Sequence, residues 1–111
     1  METKQYILTL DLVNDEALIQ EYEKIHRHIW PEIRQSIIDT GVTNMEIYRF
    51  KTRLCMVMET DASFSFENKN AMDLANPIVQ KWEEQMWKYQ RAIPGASPES
   101  KWVLMKKIFQ L

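Results

Sequence analysis

The stretch YEKIHRHIWPEI, residues 22–33, places two histidines, a tyrosine and a tryptophan within nine residues. An imidazole can give or take a proton near neutral pH, so each histidine is a candidate for acid–base chemistry. Histidines three or four residues apart on a helix could instead chelate a metal ion. His26 and His28 are two residues apart and point to roughly opposite sides of a helix, so we expect no metal site here.

His26 is the stronger candidate because it shares one side of the predicted helix with two aromatic residues. Tyr22, His26 and Trp30 follow at intervals of four residues, and Pro31 is expected to kink the helix and open space beside the imidazole. The alternative is structural, since a histidine at the edge of an apolar face is often a packing residue. Tyr22 and Trp30 could likewise belong to the core, and His28 is predicted to lie in solvent.

More aromatic residues are predicted on the second helix. Trp82 and Trp87 are five residues apart in a chain with four tryptophans, and Glu83 adjoins Trp82. Indole rings around one titratable group suit an uncharged, partly apolar ligand such as a sugar, whose C–H faces stack on the rings. The alternative for both tryptophans is packing in the core.

The secondary structure that positions these side chains follows from the apolar pattern. Alternating apolar residues predict strands, and apolar residues three or four apart predict helices. Strands are predicted at 4–13, 43–50, 54–59 and 102–109, helices at 15–39 and 65–90, and a loop at 94–100. Gly41 is expected to end the first helix, and Asn76 and Pro77 to interrupt the second. The order βαββαβ predicts one α+β domain over residues 1–111 with the ferredoxin-like plan, both helices covering one face of the sheet.

The other face of that sheet needs a cover, which a second subunit would supply. A net charge of -2 and a pI of about 5.7 provide no basic surface for nucleic acid or for an anionic membrane. No apolar run approaches the ~20 residues that span a bilayer. We therefore expect a homodimer that binds a small molecule such as a monosaccharide, with no nucleic acid or membrane partner.

Glycine and cysteine usage excludes further classes of protein. Two glycines, Gly41 and Gly95, cannot form a phosphate-binding loop, so nucleotide chemistry is not expected. Cys55 is the single cysteine and lies in an apolar strand without an activating base nearby in sequence, which argues against a nucleophilic thiol. The lone cysteine and a start without a leader pattern predict a cytoplasmic protein.

Several motifs together closely resemble the L-rhamnose mutarotase family over nearly the whole chain. They are Y-x-x-x-H-x-x-I-W-P-E at 22–32, G-V-x-N-x-E-I-Y at 41–48, LCMVMET at 54–60 and VQKW at 79–82. The resemblance implies a dimeric, ferredoxin-like α+β barrel that interconverts the α and β anomers of a 6-deoxy-L-sugar by opening and closing the ring, without a cofactor. It also implies that His26 is the catalytic proton donor and that Tyr22 contacts the sugar.

Two positions depart from the pattern of the rhamnose-specific members. Met45 stands where those members have a sugar-contacting tyrosine, and Glu83 follows Trp82 where they have a second adjacent tryptophan, which is delayed here to Trp87. The segment WEEQMWKYQ is similar to the branch associated with L-fucose. We therefore expect Tyr22, Trp82, Trp87 and Glu83 to bind the sugar, which is L-fucose or L-rhamnose. The group that would assist His26 in proton transfer stays open.

Two other functions are compatible with the same order of elements. One is a barrel-type monooxygenase of the haem-degrading or polyketide-oxidising kind, which shares only the topology. The other is a non-catalytic small-molecule-binding α+β barrel, in which the aromatic residues bind a ligand that is not converted.

Overall fold

The computed structural model describes residues 2–97 and 101–111. Within these residues the elements are β1 (Thr3–Leu12), α1 (Glu16–Arg27), α2 (Pro31–Asp39), β2 (Val42–Phe50), β3 (Arg53–Asp61), α3 (Phe66–Ala75), α4 (Pro77–Met86), β4 (Gln90–Arg91) and β5 (Val103–Leu104). The first three predicted strands and both predicted helical regions are confirmed. Residues 98–100 of the predicted loop at 94–100 lie outside the described residues.

The strands form one antiparallel sheet with the order β2-β3-β1-β4, and β5 also pairs with β1. Because β3 occupies one edge of β1, β4 and β5 share its other edge, with β4 opposite Asp11 and Leu12 and β5 opposite Leu8 and Thr9. The predicted last strand corresponds to β5 alone, and β4 is a short strand that was not predicted, at the end of the region 65–90 that was predicted as helical. The ferredoxin-like topology is confirmed.

Each predicted helix is broken into two shorter helices by a proline. The expected kink near Pro31 is a full break, because residues 28–30 leave the helix and Pro31 starts α2. Proline has no N–H to donate and its ring clashes with the preceding turn, whereas it fits the first turn of a new helix. The interruption predicted at Asn76 and Pro77 is confirmed, and Asn76 caps α4 by accepting hydrogen bonds from the backbone of Ile78 and Val79.

The core lies between the helices and one face of the sheet. Alternate residues of β1 and β3 point into it, and its most deeply buried members are Leu10, Leu12, Leu54, Met58 and Met86. On the opposite face the described helices provide no cover. That face carries Ile7, Cys55 and Val57, which are half-buried, and the exposed side chains of Tyr48 and Phe50.

The last strand is shorter than the predicted range 102–109. Only Val103 and Leu104 belong to β5, and the backbone N–H of Met105 adds one bond to Ile7. The register of β5 would bring the residues after Met105 opposite the start of β1, but they form no strand there, so alternation alone does not make this segment a strand. Three apolar side chains of this terminal segment are exposed: Ile108, Phe109 and Leu111.

Candidate active site

A cavity of about 670 Å³ lies between the helices and the sheet. Its volume is in the range of small-molecule binding sites in proteins. All five residues predicted to act on a sugar line it: Tyr22, His26, Trp82, Glu83 and Trp87. The fold therefore brings together residues from α1, from α4 and from the turn after α4. Met45, the residue that departs from the rhamnose-specific pattern, lines the same cavity from β2.

His26 lies in the last turn of α1, and its ring is held by the backbone. Nδ1 is 2.8 Å from the carbonyl oxygen of Tyr22. A carbonyl oxygen can only accept, so Nδ1 carries the proton of the neutral ring and Nε2 presents a lone pair. Burial lowers the pKa of His26 below 6.5, and the bond to the Tyr22 carbonyl only partly opposes this effect. The imidazole is therefore neutral at pH 7 and able to accept a proton at Nε2.

His28, in contrast, is exposed and ends α1 as its C-terminal cap. The prediction that His28 lies in solvent is confirmed. This exposure also makes His28 a natural control for any change made at His26.

The aromatic side chains form a wall around the imidazole. The ring of Tyr22 lies 4.2 Å from that of His26, and the ring of Trp82 lies 5.8 Å from it at a steep angle. Trp30 has left the helix but still contacts Trp82, with 5.1 Å between ring centroids. Trp82 is only 7% exposed. These rings exclude water from one side of His26, which accounts for its lowered pKa.

Tyr22 is a buried phenol with a defined hydrogen-bond partner. Its hydroxyl oxygen accepts a bond of 3.3 Å from Nε2 of Gln90 in β4. Burial is the main cause that raises the pKa of Tyr22 to about 12, and the charge of Glu83 adds to it. The phenol is therefore protonated at neutral pH, and its hydrogen is available to a ligand in the cavity.

A charged pair borders the cavity beside Trp87. Nζ of Lys101 donates to the carboxylate of Glu83 and, at 2.7 Å, to its backbone carbonyl. The same ammonium group lies 4.8 Å from the centre of the Trp87 ring, a cation–π distance. Lys101 thus contacts both Glu83 and Trp87, which are predicted to bind the sugar. Trp87 remains 37% exposed.

Lys101 and Gln90 are functional candidates that the sequence pattern did not identify. Gln90 follows directly on the aromatic segment WKY, and Lys101 precedes Trp102 at the start of the last strand. Neither spacing signals a site by itself. Gln90 reaches Tyr22 and Lys101 reaches Glu83 because distant strands pair across the sheet. Local sequence does not reveal this pairing.

The described residues contain no group of three or more histidine, cysteine, aspartate or glutamate side chains placed to hold a metal ion. Within residues 2–97 and 101–111, none of the helices is both long and apolar enough to cross a membrane.

Residues 5–111 match the model of a known protein family, the L-rhamnose mutarotases. The chain belongs to this family. It is 38% identical over 113 residues to an L-fucose mutarotase of Xanthomonas campestris pv. campestris, covering 100% of this chain and 90% of that protein. It is 35% identical over 86 residues to an L-rhamnose mutarotase of Phocaeicola vulgatus, covering 73% of this chain and 72% of that protein.

The fold is also that of a solved member of the family. The crystal structure of an L-rhamnose mutarotase from Formosa agariphila superposes with a TM-score of 0.71 at 21% identity and covers 97% of this chain and 98% of that one. Members of the family are isomerases that exchange the anomers of a sugar. The monooxygenase and the non-catalytic binding protein find no support among these relatives.

Proposed function

We propose that this chain interconverts the α and β anomers of a 6-deoxy-L-sugar in the cavity, with His26 as the proton-transferring group. The observation that carries the proposal is the orientation of His26. Its Nδ1–H is bound to the Tyr22 carbonyl, so that Nε2 is left for a ligand in a cavity walled by aromatic rings. Because burial lowers its pKa, His26 is neutral at pH 7 and can accept a proton and return it.

The reaction needs one proton to move between two oxygens of the sugar. Nε2 of His26 takes the proton of the anomeric hydroxyl, the bond from the anomeric carbon to the ring oxygen breaks, and the ring oxygen receives a proton. Both oxygens are bonded to the same carbon, so one imidazole can serve each in turn. The open aldehyde then rotates about its bond to the second carbon, and the reverse steps close the ring on the other face.

The remaining cavity residues are proposed to hold the sugar. Tyr22 donates its hydroxyl hydrogen to a sugar oxygen, and Glu83 accepts a hydrogen bond from a sugar hydroxyl. Trp82 and Trp87 stack on the C–H faces of the ring, which orients it without fixing the anomeric carbon. No cofactor is required for this chemistry.

L-Fucose is the proposed substrate in preference to L-rhamnose. The identity of 38% to an L-fucose mutarotase supports this choice. So do Met45 and Glu83, which place a thioether and a carboxylate where two aromatic groups are expected in the rhamnose-specific pattern. These groups line the cavity and would favour a different arrangement of axial and equatorial hydroxyls.

Anomer exchange measured by saturation-transfer NMR tests the proposal. When the two sugars are assayed at the same concentration and with the same amount of protein, we expect faster exchange for L-fucose than for L-rhamnose. Faster exchange of L-rhamnose would contradict the preference but not the reaction. Binding of both sugars without exchange of either would contradict the reaction itself.

A homodimer is proposed from the uncovered sheet face. That face carries Tyr48 and Phe50, which are exposed in one subunit, and the terminal segment also exposes Ile108 and Phe109. Burying such residues against a second copy would remove apolar surface from water. Light scattering should give twice the subunit mass at micromolar concentration, and a monomer mass would contradict the proposal. We place the dimer in the cytoplasm, where the single thiol of Cys55 stays reduced.

A further inference from the structure

Gln90 is a buried polar residue, and of its two polar side-chain atoms only Nε2 has a hydrogen-bond partner among the described residues. Its backbone lies in β4 opposite Leu12, and its side chain is 6% exposed at the wall of the cavity. Nε2 donates to the hydroxyl of Tyr22. Within residues 2–97 and 101–111, its amide oxygen Oε1 has no hydrogen-bond partner.

A buried amide oxygen without a partner lowers the stability of the folded chain, and native proteins satisfy the large majority of such atoms. The neighbouring Tyr89 illustrates the usual case, because its hydroxyl donates to Glu21 at 2.7 Å. Gln90 lies one residue further on and lacks such a protein partner at Oε1. Its position beside Tyr22 and His26 on the cavity wall points to a ligand as the missing donor.

We propose that Gln90 is a specificity-determining residue whose amide oxygen accepts a hydrogen bond from one hydroxyl of the sugar. The inference rests on the proposed function, since it assumes that the sugar occupies this cavity. The bond from Gln90 also orients Tyr22. With its oxygen accepting from Nε2 of Gln90, the Tyr22 hydroxyl directs its own hydrogen elsewhere, toward the ligand.

The pair Gln90 and Tyr22 therefore presents one acceptor and one donor side by side. A sugar hydroxyl is both donor and acceptor, so a single hydroxyl satisfies both groups at once. A sugar that has hydrogen in place of this hydroxyl would leave Oε1 buried and unpaired. A site that hydrogen-bonds a substrate hydroxyl discriminates strongly against an analogue that lacks this hydroxyl. An apolar pocket discriminates less strongly against an analogue that carries an extra group.

Two measurements test the assignment. The first uses the wild-type protein and the 2-, 3- and 4-deoxy analogues of L-fucose in the anomer-exchange assay. We expect one analogue to exchange about 10- to 100-fold more slowly than L-fucose, the effect of one unpaired buried group. The second repeats the series with Gln90→Leu, which keeps a similar volume without polar atoms. It should exchange L-fucose about 10- to 100-fold more slowly and no longer distinguish that analogue from L-fucose.

Gln35→Leu is the matched control, because Gln35 is exposed on α2 and its amide donates to Asp39 at 2.8 Å. This variant should keep both the rate and the discrimination of the wild type. A purely structural role for Gln90 would lower thermal stability and slow all sugars alike.

The analogue series on the wild-type protein gives a result even where Gln90→Leu does not fold. Equal exchange of L-fucose and all three analogues would overturn the assignment of Gln90 while leaving the mutarotase reaction in place. Undiminished discrimination in a folded Gln90→Leu variant would overturn it as well. A wild-type protein that exchanges no sugar would overturn both the assignment and the proposed function.

Discussion

Replacing His26 with asparagine removes the proposed proton-transfer atom while changing little else. Asparagine Nδ2 takes the place of imidazole Nδ1, so the 2.8 Å bond to the Tyr22 carbonyl can be kept, whereas nothing replaces Nε2. The structural cost is the loss of the ring contacts with Tyr22 and Trp82, which we place at about 1–2 kcal/mol, the usual scale of a single substitution. A domain with a typical stability of about 5–15 kcal/mol stays more than ~99% folded after that loss.

The rate of anomer exchange in His26→Asn should fall by a much larger factor than the folded fraction does. A positioned acid or base contributes about 10² to 10⁴-fold, so we expect His26→Asn to slow exchange by at least ~10²-fold. Saturation-transfer NMR gives the rate, and thermal unfolding gives the folded fraction on the same sample. His28→Asn makes the same chemical change on an exposed residue and should leave the rate unchanged. A folded His26→Asn variant with the wild-type rate would refute the catalytic assignment.

Two further predictions concern the surroundings of His26. An NMR titration of the two histidines should show His26 with a pKa below 6.5, because burial disfavours the imidazolium, and the acid limb of the pH–rate profile should therefore also lie below 6.5. Between that lowered pKa and 6.5 the folded state binds fewer protons than the unfolded state, so stability should fall as the pH decreases through this window. A pKa of His26 at or above that of a free histidine would contradict the burial argument. Trp82→Ala should lower stability by about 3–5 kcal/mol and raise the pKa of His26 toward 6.5, whereas Trp87→Ala, at a residue that is 37% exposed, should cost less stability and leave that pKa nearly unchanged. Equal losses of stability in chemical denaturation would show that burial does not distinguish the two tryptophans.

The sequence predicted the parts of the fold that depend on local pattern. Alternation along β1 and the three-to-four spacing of α1 identify which side chains face the core, and this spacing already placed Tyr22 and His26 on one side of a helix. Proline and asparagine marked the interruption at Asn76 and Pro77 because their effects on the backbone are local. The effect of proline on the backbone also located the interruption at Pro31. The sequence predicted only a kink there, because a kink and a full break of the helix have the same local signal.

What the sequence did not predict depends on contacts between distant parts of the chain. Gln90 is buried because a two-residue strand pairs with the end of β1. Lys101 borders the cavity because β5 returns to the same edge and brings it to Glu83, 18 residues away in sequence. Conversely, the apolar alternation after Leu104 predicted a strand up to residue 109, whereas the pairing with β1 ends at the bond from Met105 to Ile7. In each case the deciding partner lies far away in sequence.

The most direct test of the proposed function is the exchange of L-fucose anomers by the purified wild-type protein. Saturating the anomeric proton signal of the α form should weaken that of the β form when the protein is present, and the effect should disappear when His26→Asn replaces the wild type. An unchanged β signal in the presence of folded wild-type protein that binds the sugar would contradict the conclusion that this cavity opens and closes a sugar ring.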